Sequence, residues 1–284
     1  MAVRIVVDSS CDVDQSTLKA WNVDLLPIRV FFGDEAYIPG ETLSTSEFYE
    51  KLSQVEELPK TAQITPLEFE EALAPMLDNG DEVVLIPISR ELSGTYNSAL
   101  IAKSTAFEDK PLYVVDSLTV TFAMSLLVYE AVKLRDKGLT AADICNELER
   151  LIPRLCLVAA IDDLKYLRLG GRLSSTSAVM GSLLGIKPII TIKDGKVENI
   201  HKTRGLKAAN QYLINSAVDK IDSNYPLVFG HANIPQAIAD LKKAADEVLT
   251  YSETFNCDIG PIVGTHCGPG AYGFVFICKE DMEN

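Results

Sequence analysis

The stretch "EVVLIPISRELSGTYNSA" (Glu82–Ala99) decides the fold of the first half of the chain. It begins with an apolar run rich in β-branched residues, Glu82–Ile88, which predicts a buried strand. A helix is predicted from about Gly94 to Lys103, so the sequence Ser93-Gly94-Thr95 lies where the strand ends and the helix begins. In parallel α/β sheets, ligands bind beyond the carboxyl ends of the strands, so this junction is a candidate binding site.

Two more strands outside this stretch show the same arrangement. Val3–Ser10 and Pro111–Ser117 are apolar runs that end in Asp-Ser-Ser and Asp-Ser. Helices are predicted between the strands, one beginning with the capping box Thr65–Glu68 and another covering Leu118–Lys137. Continuous apolar strands that alternate with helices indicate a parallel sheet covered on both faces. We therefore predict an N-terminal α/β domain of three layers.

The second half of the chain has a different pattern. Leu155–Asp163 predicts a further strand, and Leu164–Ala178 is a basic stretch interrupted by glycines. Lys187–Arg204 alternates about Asp194-Gly195, which is a strong signal for a β-hairpin. Hairpins mixed with helices indicate an α+β domain. We place the boundary at Leu155, which gives domains 1–154 and 155–284, and expect a cleft between them.

The charge and hydropathy of the chain limit its partners. Lys and Arg number 26 and Asp and Glu number 40, so the formal net charge is −14. A field of this sign repels phosphate backbones and anionic membranes, so we expect no nucleic-acid partner. The first residues lack the apolar run of a signal peptide, and the most apolar helix candidate, Thr121–Val132, is too short to span a bilayer. We expect a cytoplasmic protein with no integral membrane segment.

Cysteines and histidines give no sign of a metal site. None of the three histidines (His201, His231 and His266) lies at metal-ligand spacing from a cysteine or from another histidine. Asp8 and Asp116 stand beside serines at strand ends, which favours helix caps over metal ligands. The six cysteines form no Cys-x-x-Cys pair, which is typical of reduced thiols in a cytosol. We expect no metal and no cofactor.

Three interpretations are open for Ser93-Gly94-Thr95. Ser93 is a favoured N-cap residue and needs no further role. As a catalytic nucleophile it lacks the Gly-x-Ser-x-Gly elbow, and its base would have to be His266 or His231. As a phosphate loop the stretch lacks the glycine spacing and the lysine of a P-loop. What remains beside the cap is a hydroxyl next to free helix N–H groups, which together can receive an anion.

Two other residues are candidates for the same site. Thr61 lies in "LPKTAQIT" (Leu58–Thr65), just before the capped helix, and taken alone it is more readily explained as a loop threonine that has no role. His266 lies in "GTHCGPGAYG" (Gly264–Gly273), which we predict to be a glycine-rich loop between two strands. A lone histidine is commonly a buried core residue, whereas one in such a loop is well placed to reach a ligand.

Three arginines stand beside glycines in predicted loops: Arg168, Arg172 and Arg204. Solvated charge is a sufficient explanation for Arg204. Gly170-Gly171 permits a backbone turn that would push Arg168 and Arg172 outward. Two exposed arginines in an acidic chain favour a docking patch for an anionic group.

Seven stretches, taken together and in this order, resemble the DegV family over nearly the whole chain. They are "VDSSCD", "PKTAQIT", "SGTYNSA", "VVDS", "DDLKYLRLGGRLS", "LLGIKPI" and "GTHCGPGAYG". One departure is Ala62-Gln63-Ile64-Thr65, where members of the family often carry Ser-Gln-Pro-Ser. Thr61 is unaffected by that change.

The resemblance implies a two-domain protein that binds one long-chain fatty acid in a tunnel between its domains. It also implies a partner, a separate ATP-dependent fatty-acid kinase subunit that converts the presented carboxyl group to an acyl-phosphate. By the same resemblance Thr61, Ser93 and Gly94 hold the carboxylate and His266 lies close to it. Arg168, Arg172 and Arg204 would contact the kinase or the phosphorylated head group. Such a protein is not itself an enzyme and needs no cofactor.

Two other functions stay open at this point. One is a hydrolase that uses Ser93 with His266, and the other is a regulator that only senses lipid.

Overall fold

The computed structural model describes residues 2–174 and 185–280. Within them the strands are β1 (Val3–Asp8), β2 (Val23–Leu26), β3 (Arg29–Phe32), β4 (Glu35–Tyr37), β5 (Lys60–Ala62), β6 (Glu82–Ile86), β7 (Leu112–Val114), β8 (Leu155–Ala160), β9 (Ile186–Lys193), β10 (Lys196–Arg204), β11 (Leu227–His231), β12 (Thr254–Asp258) and β13 (Tyr272–Ile277). The helices are α1 (Gln15–Ala20), α2 (Thr45–Leu52), α3 (Pro66–Asp78), α4 (Thr95–Ala106), α5 (Phe122–Asp136), α6 (Ala141–Leu151), α7 (Lys165–Leu169), α8 (Gly205–Ala217), α9 (Pro235–Asp246) and α10 (Pro261–Cys267).

The N-terminal half is built on a parallel sheet in the order β2-β1-β6-β7. The two central strands pair from Val3–Glu82 to Val7–Ile86, and their apolar residues are buried except for the half-buried Val3. Helices α3 and α4 pack on one face and α5 and α6 on the other, which explains why the strands are apolar on both sides. The predicted α/β fold with its parallel sheet is confirmed.

A small antiparallel sheet, in the order β4-β3-β5, accompanies the parallel sheet. It was not predicted, because strands of three or four residues are too short to show a clear alternation of apolar and polar positions. Its strand β5 carries Thr61, which pairs with Val30 of β3. The small sheet therefore fixes the backbone of one candidate site residue.

The C-terminal half contains a six-stranded mixed sheet in the order β10-β9-β8-β13-β11-β12. Helices α8 and α9 cover one of its faces. The predicted hairpin between β9 and β10 is confirmed, and Asp194 and Gly195 at its tip have φ angles of +48° and +80°. Such angles are those of a tight turn in which Asp-Gly is favoured.

The ladder between β8 and β9 is short. It ends at the pair Val158–Thr191, although β8 begins at Leu155 and β9 continues to Lys193. Over these last residues β8 stays paired with β13, and β9 stays paired with β10. The sheet therefore divides into a fork, bounded by Leu155–Leu157 on one side and Ile192–Lys193 on the other.

Helix α5 joins the two halves. It packs against β1 of the parallel sheet and also against β8, β11 and β13 of the six-stranded sheet. Most of its residues are buried, and Phe122 lies so close to β11 that a Cβ on Gly230 would approach its ring to 2.0 Å. The division of the chain into domains 1–154 and 155–284 stays a prediction.

The hairpin tip makes a second contact between the halves. Ser89 Oγ donates a hydrogen bond of 2.9 Å to the carbonyl of Gly195, and Lys196 lies 3.3 Å from Glu91. Within the described residues no helix is long and apolar enough to cross a membrane. The end of the predicted basic stretch, residues 175–178, and Leu183-Leu184 of one family motif lie outside the described residues.

Candidate functional site

A cavity lies between the two halves, with about 820 Å³ of empty space that includes its opening to solvent. Of the 23 described residues that line it, 18 are apolar, and the other five are Thr61, Ser93, Thr121, Arg172 and His266. Only a small part of the space is wide enough to admit a water molecule, so the apolar walls nearly touch one another.

Thr61 and His266 are brought together from opposite ends of the chain. Thr61 Oγ1 lies 3.1 Å from His266 Nε2, although the two residues are 205 positions apart. Helix α10 carries His266 in its last turn and packs against β5. The prediction that His266 lies in a glycine-rich loop is therefore wrong, because Pro261 starts a helix that runs through Gly264.

His266 is a neutral imidazole at physiological pH. Burial, and then the positive charge of Arg172, lower its pKa from 6.5 to about 4. Among the described residues Nδ1 has no hydrogen-bond partner, and Gly170 packs so close that a Cβ there would lie 2.5 Å from it. The ring therefore has one polar contact, at Nε2, and a close backbone neighbour on its other side.

Ser93 lies at the start of α4, as predicted, but its hydroxyl is only a partial cap. Ser93 Oγ lies 2.9 Å from Thr95 Oγ1 and accepts a weak bond of 3.3 Å from the Thr95 N–H. The residue just before the helix is Gly94, which has no side chain to cap it. Helix first turns carry N–H groups without intrahelical partners, so α4 retains donors beside the Ser93 hydroxyl.

Gln63 is a neighbour of this junction that sequence analysis missed. A Cβ on Gly94 would lie 2.0 Å from Gln63 Oε1, so Gly94 permits the close approach of this amide. Gln63 Nε2 in turn donates to Ser98 Oγ at 3.0 Å and ties the segment after β5 to α4. The signal was present in "PKTAQIT", where a glutamine stands two residues after Thr61.

The three arginines are not equivalent. Arg168, in the short helix α7, and Arg204, just before α8, are exposed, as was predicted for Arg168. Arg172 is half-buried and lines the cavity, so the prediction that it points outward is wrong. Its guanidinium donates to the carbonyl of Leu92 at 3.2 Å and to that of Gly170, and these bonds hold it inward.

A half-buried carboxylate joins the two halves near α10. Asp12 accepts a bond of 2.9 Å from the Gly260 N–H and one of 2.6 Å from Thr121 Oγ1. Burial is the main cause that raises its pKa from 3.8 to about 7. Tyr49 donates to the carbonyl of Ile259 at 2.9 Å beside this contact. These residues were not predicted, since their partners lie far away in the sequence.

Asp8 and Asp116 have structural partners. Asp8 accepts bonds from the N–H groups of Ser10 and Ile88, and Asp116 accepts from those of Arg90 and Leu118. The described residues include no group of three or more histidine, cysteine or acidic side chains that could hold a metal ion. Both carboxylates therefore accept backbone hydrogen bonds at the ends of strands.

A family comparison decides what kind of protein has this cavity. The model of the DegV family matches residues 2–279. The chain belongs to the DegV family. A DegV domain-containing protein of Caldanaerobacter subterraneus is 31% identical over 278 residues, which cover 96% of this chain and 98% of the relative.

Solved DegV structures share the whole fold. A DegV family protein from Thermus thermophilus, described as binding fatty acid, has a TM-score of 0.90 and 27% identity, and the match covers 98% of this chain and all of that one. A protein from Eubacterium ventriosum described as binding stearic acid has a TM-score of 0.84 and 26% identity, and the match covers 99% of both chains. The resemblance to DegV proteins is thus confirmed, and solved relatives of this fold bind fatty acids.

Three of the DegV motifs meet where Thr61, Ser93, Arg172 and His266 line the cavity, which we call its polar end. "PKTAQIT" supplies Thr61 on β5, "SGTYNSA" supplies Ser93 at the start of α4, and "GTHCGPGAYG" supplies His266 on α10. A Ser–His catalytic pair is not formed, because Ser93 Oγ contacts Thr95 while His266 Nε2 contacts Thr61. The arrangement is suited to holding a polar group and gives no support to the hydrolase alternative.

Proposed function

We propose that this protein binds one long-chain fatty acid in the cavity between its halves. It would then present the carboxylate to a separate ATP-dependent kinase subunit for acyl-phosphate formation. The proposal rests on the composition of the cavity wall: of the 23 lining residues in the described part of the chain, 18 are apolar and five are polar. Relatives described as binding fatty acid and stearic acid have the same fold.

The polar side chains supply what a desolvated carboxylate needs. A carboxylate taken out of water must be hydrogen-bonded, and hydroxyl groups and helix N–H groups can do this without a metal. Thr61 and Ser93 would donate their hydroxyl protons to the carboxylate, beside the first N–H groups of α4 after Gly94. Arg172 would add positive charge, and His266, held neutral, would supply an N–H rather than a charge.

The acyl chain would supply most of the affinity. At about 0.8 kcal/mol per buried methylene, a chain of roughly fourteen methylenes contributes on the order of 11 kcal/mol before ordering costs. Each hydrogen bond to the charged head group contributes about 1.5–3 kcal/mol. The apolar walls would therefore determine how tightly the ligand is held, and the head-group residues would determine where the carboxylate lies.

The exposed arginines support the docking of a kinase subunit that would act on the bound carboxylate. Arg168 and Arg204 are exposed cations on a chain whose net charge is −14, and both fit contact with an anionic partner or a phosphorylated head group. The sequence carries no P-loop, so the ATP would be held by the partner. A regulator that only senses lipid would use the same cavity, and loss of the kinase subunit would then leave its effect unchanged.

The direct test is to identify what the purified protein carries. Denaturation, extraction and mass spectrometry of protein expressed in bacteria should yield close to one fatty acid per chain, because an apolar cavity retains an apolar ligand. Stoichiometric recovery of a nucleotide or a metal, with no lipid, would contradict the proposal. Added kinase subunit and ATP should then convert the bound acid to an acyl-phosphate.

A further inference from the structure

The fork in the six-stranded sheet lies in the wall of the cavity. Leu157, on the β8 side of the fork, and Ile192, on the β9 side, both line the cavity. The backbone ladder between the two strands ends at Val158–Thr191, and beyond it the Thr191 side chain bridges them, donating a hydrogen bond of 2.7 Å to the carbonyl of Leu157. The wall is therefore closed here by side chains rather than by backbone hydrogen bonds.

A second groove begins at the same two residues. Leu157 and Ile192 line it as well, and it continues along Leu155, Cys156 and Ser216. Unlike the cavity, the groove is wide enough for water along much of its length. Cavity and groove thus share a wall made of two apolar side chains.

The groove reaches the other face of the sheet. Successive residues of a strand point to opposite faces. Leu157 belongs to the core that faces the N-terminal half, whereas Cys156 and Val158 pack with the core under α8. Since all three line the groove, it runs through the fork from one face to the other.

We infer that the fork is a distal exit of the cavity, through which the end of a long acyl chain passes into this groove. The inference rests on the proposed function and extends it. Shorter acyl chains would fit within the cavity, and the groove would accept the methylenes of a chain that is too long for the cavity. Leu157 and Ile192 are then the residues that determine chain length, because a chain must part them to pass.

The occupant follows from continuity and from the chemistry of the walls. A ligand that enters from the narrow apolar cavity is itself narrow and apolar, and an acyl chain meets both conditions. Ile200, another groove residue, has 42% of its surface exposed and would be covered by such a chain. Each methylene that leaves water for these walls is stabilised by burial, so longer chains should bind as well.

A thiol reporter in the groove can test this without changing the cavity. Ser216 lines the groove, does not line the cavity and lies in α8, so Ser216→Cys in a Cys156→Ser background places a thiol beside the path. The other five cysteines are buried. Ser104→Cys, an exposed position on α4, is the matched control in the same background.

The measurement is the rate of alkylation by N-ethylmaleimide in delipidated protein alone, with tetradecanoate and with docosanoate. At about 100 times its Kd nearly all the protein holds ligand, so docosanoate should slow alkylation at position 216 by more than about tenfold. Tetradecanoate should bind with little effect on this rate, and neither acid should protect position 104.

The bound lipid is quantified in the same samples. This distinguishes failure of the distal exit from failure of fatty-acid binding itself. Stoichiometric docosanoate with an unprotected thiol at position 216 overturns the distal exit and leaves the proposed function standing. Equal protection by both acids also overturns it, because a short chain would not reach the groove. If neither acid binds at all, the proposed function fails, and the exit fails with it.

Discussion

Single residues at the polar end of the cavity differ in how they can act on a head group. Thr61 and Ser93 are half-buried hydroxyls, His266 is a neutral imidazole, and Arg172 is a half-buried cation. The hydroxyl of Thr61 already has His266 as a partner, so a bound carboxylate would replace or extend that contact. Removing each of these groups should therefore have a different effect on fatty-acid binding.

The double variant Thr61→Ala, Ser93→Ala should fold but hold fatty acid more weakly. Each lost hydrogen bond to a carboxylate costs about 1.5–3 kcal/mol, while loss of the partial cap at Ser93 costs about 1 kcal/mol of stability at most. The measurement is the rise in melting temperature on adding fatty acid. Ser104→Ala, which removes an exposed hydroxyl on α4, is the control. An undiminished rise in the double variant would refute the roles of both hydroxyls.

Variants of Arg168 and Arg172 should distinguish fatty-acid binding from acyl-phosphate formation. Arg168→Ala should leave fatty-acid retention unchanged and lower acyl-phosphate formation with the kinase subunit, because Arg168 is exposed. Arg172→Ala should weaken retention itself, since Arg172 lines the cavity and its loss removes a charge near the head group. Truncating one member of a desolvated charge pair costs roughly 2–5 kcal/mol. Lipid content and coupled turnover are measured on one preparation, and normal turnover in Arg168→Ala would exclude it from the docking surface.

The tip of the β9–β10 hairpin makes a contact between the halves whose contribution to stability can be measured with one substitution. Gly195 has a φ of +80°, and a Cβ there would lie 2.5 Å from the buried Ser89 Oγ. Gly195→Ala should therefore cost more than the 1–3 kcal/mol or so of backbone strain alone. Gly138→Ala is the matched control, because Gly138 has a φ of +85° and open space around it. Equal urea midpoints for the two variants would mean that the hairpin contact contributes nothing.

The elements that sequence predicted well are those whose signal is local. The parallel strands gave continuous apolar runs, and the turn at Asp194-Gly195 needs the positive φ angles that these two residues tolerate. The sheet β4-β3-β5 was missed because its strands are so short. Helix α10 was mistaken for a loop because Gly264 and the following glycines hid a seven-residue helix that begins at Pro261.

The candidate site could be predicted only in part, for a related reason. Ser93 stood out because its neighbours in sequence are also its neighbours in space. The contact between Thr61 and His266 depends on the packing of α10 against β5, which no local pattern encodes. The orientation of Arg172 depends on the distant Leu92 carbonyl, so the glycines beside it predicted the turn but not its direction.

The molecule as a whole should unfold as one unit. Helix α5 belongs to the N-terminal half by sequence, yet it covers the six-stranded sheet as well as the parallel one. A fragment of residues 155–284 would leave that face of its sheet in water, so we expect it to be insoluble or unfolded by circular dichroism. Coexpression with residues 1–154 should restore a folded complex. A soluble 155–284 fragment with a cooperative melting transition would show that the second half folds independently.

Because Asp12 links the two halves and has a raised pKa, the free energy of unfolding should depend on pH. Its carboxyl group has a pKa of about 7 in the folded protein and 3.8 in the unfolded chain. Between these values the folded state binds a proton that the unfolded state has lost. The free energy of unfolding should therefore fall as pH rises, by up to about 1.4 kcal/mol per pH unit, until the loss is complete above neutrality.

Asp12→Asn keeps an acceptor for the Gly260 N–H and removes the titration. Its urea midpoint should fall less than that of the wild type between about pH 5 and pH 7.5. Parallel pH profiles would contradict the link. His266 acts in the opposite sense below pH 6.5, because its depressed pKa makes the folded state the poorer proton acceptor. Acidification thus strengthens the contact between the halves at Asp12 while it destabilises the polar end of the cavity, and separating the halves in neutral solution releases about half a proton.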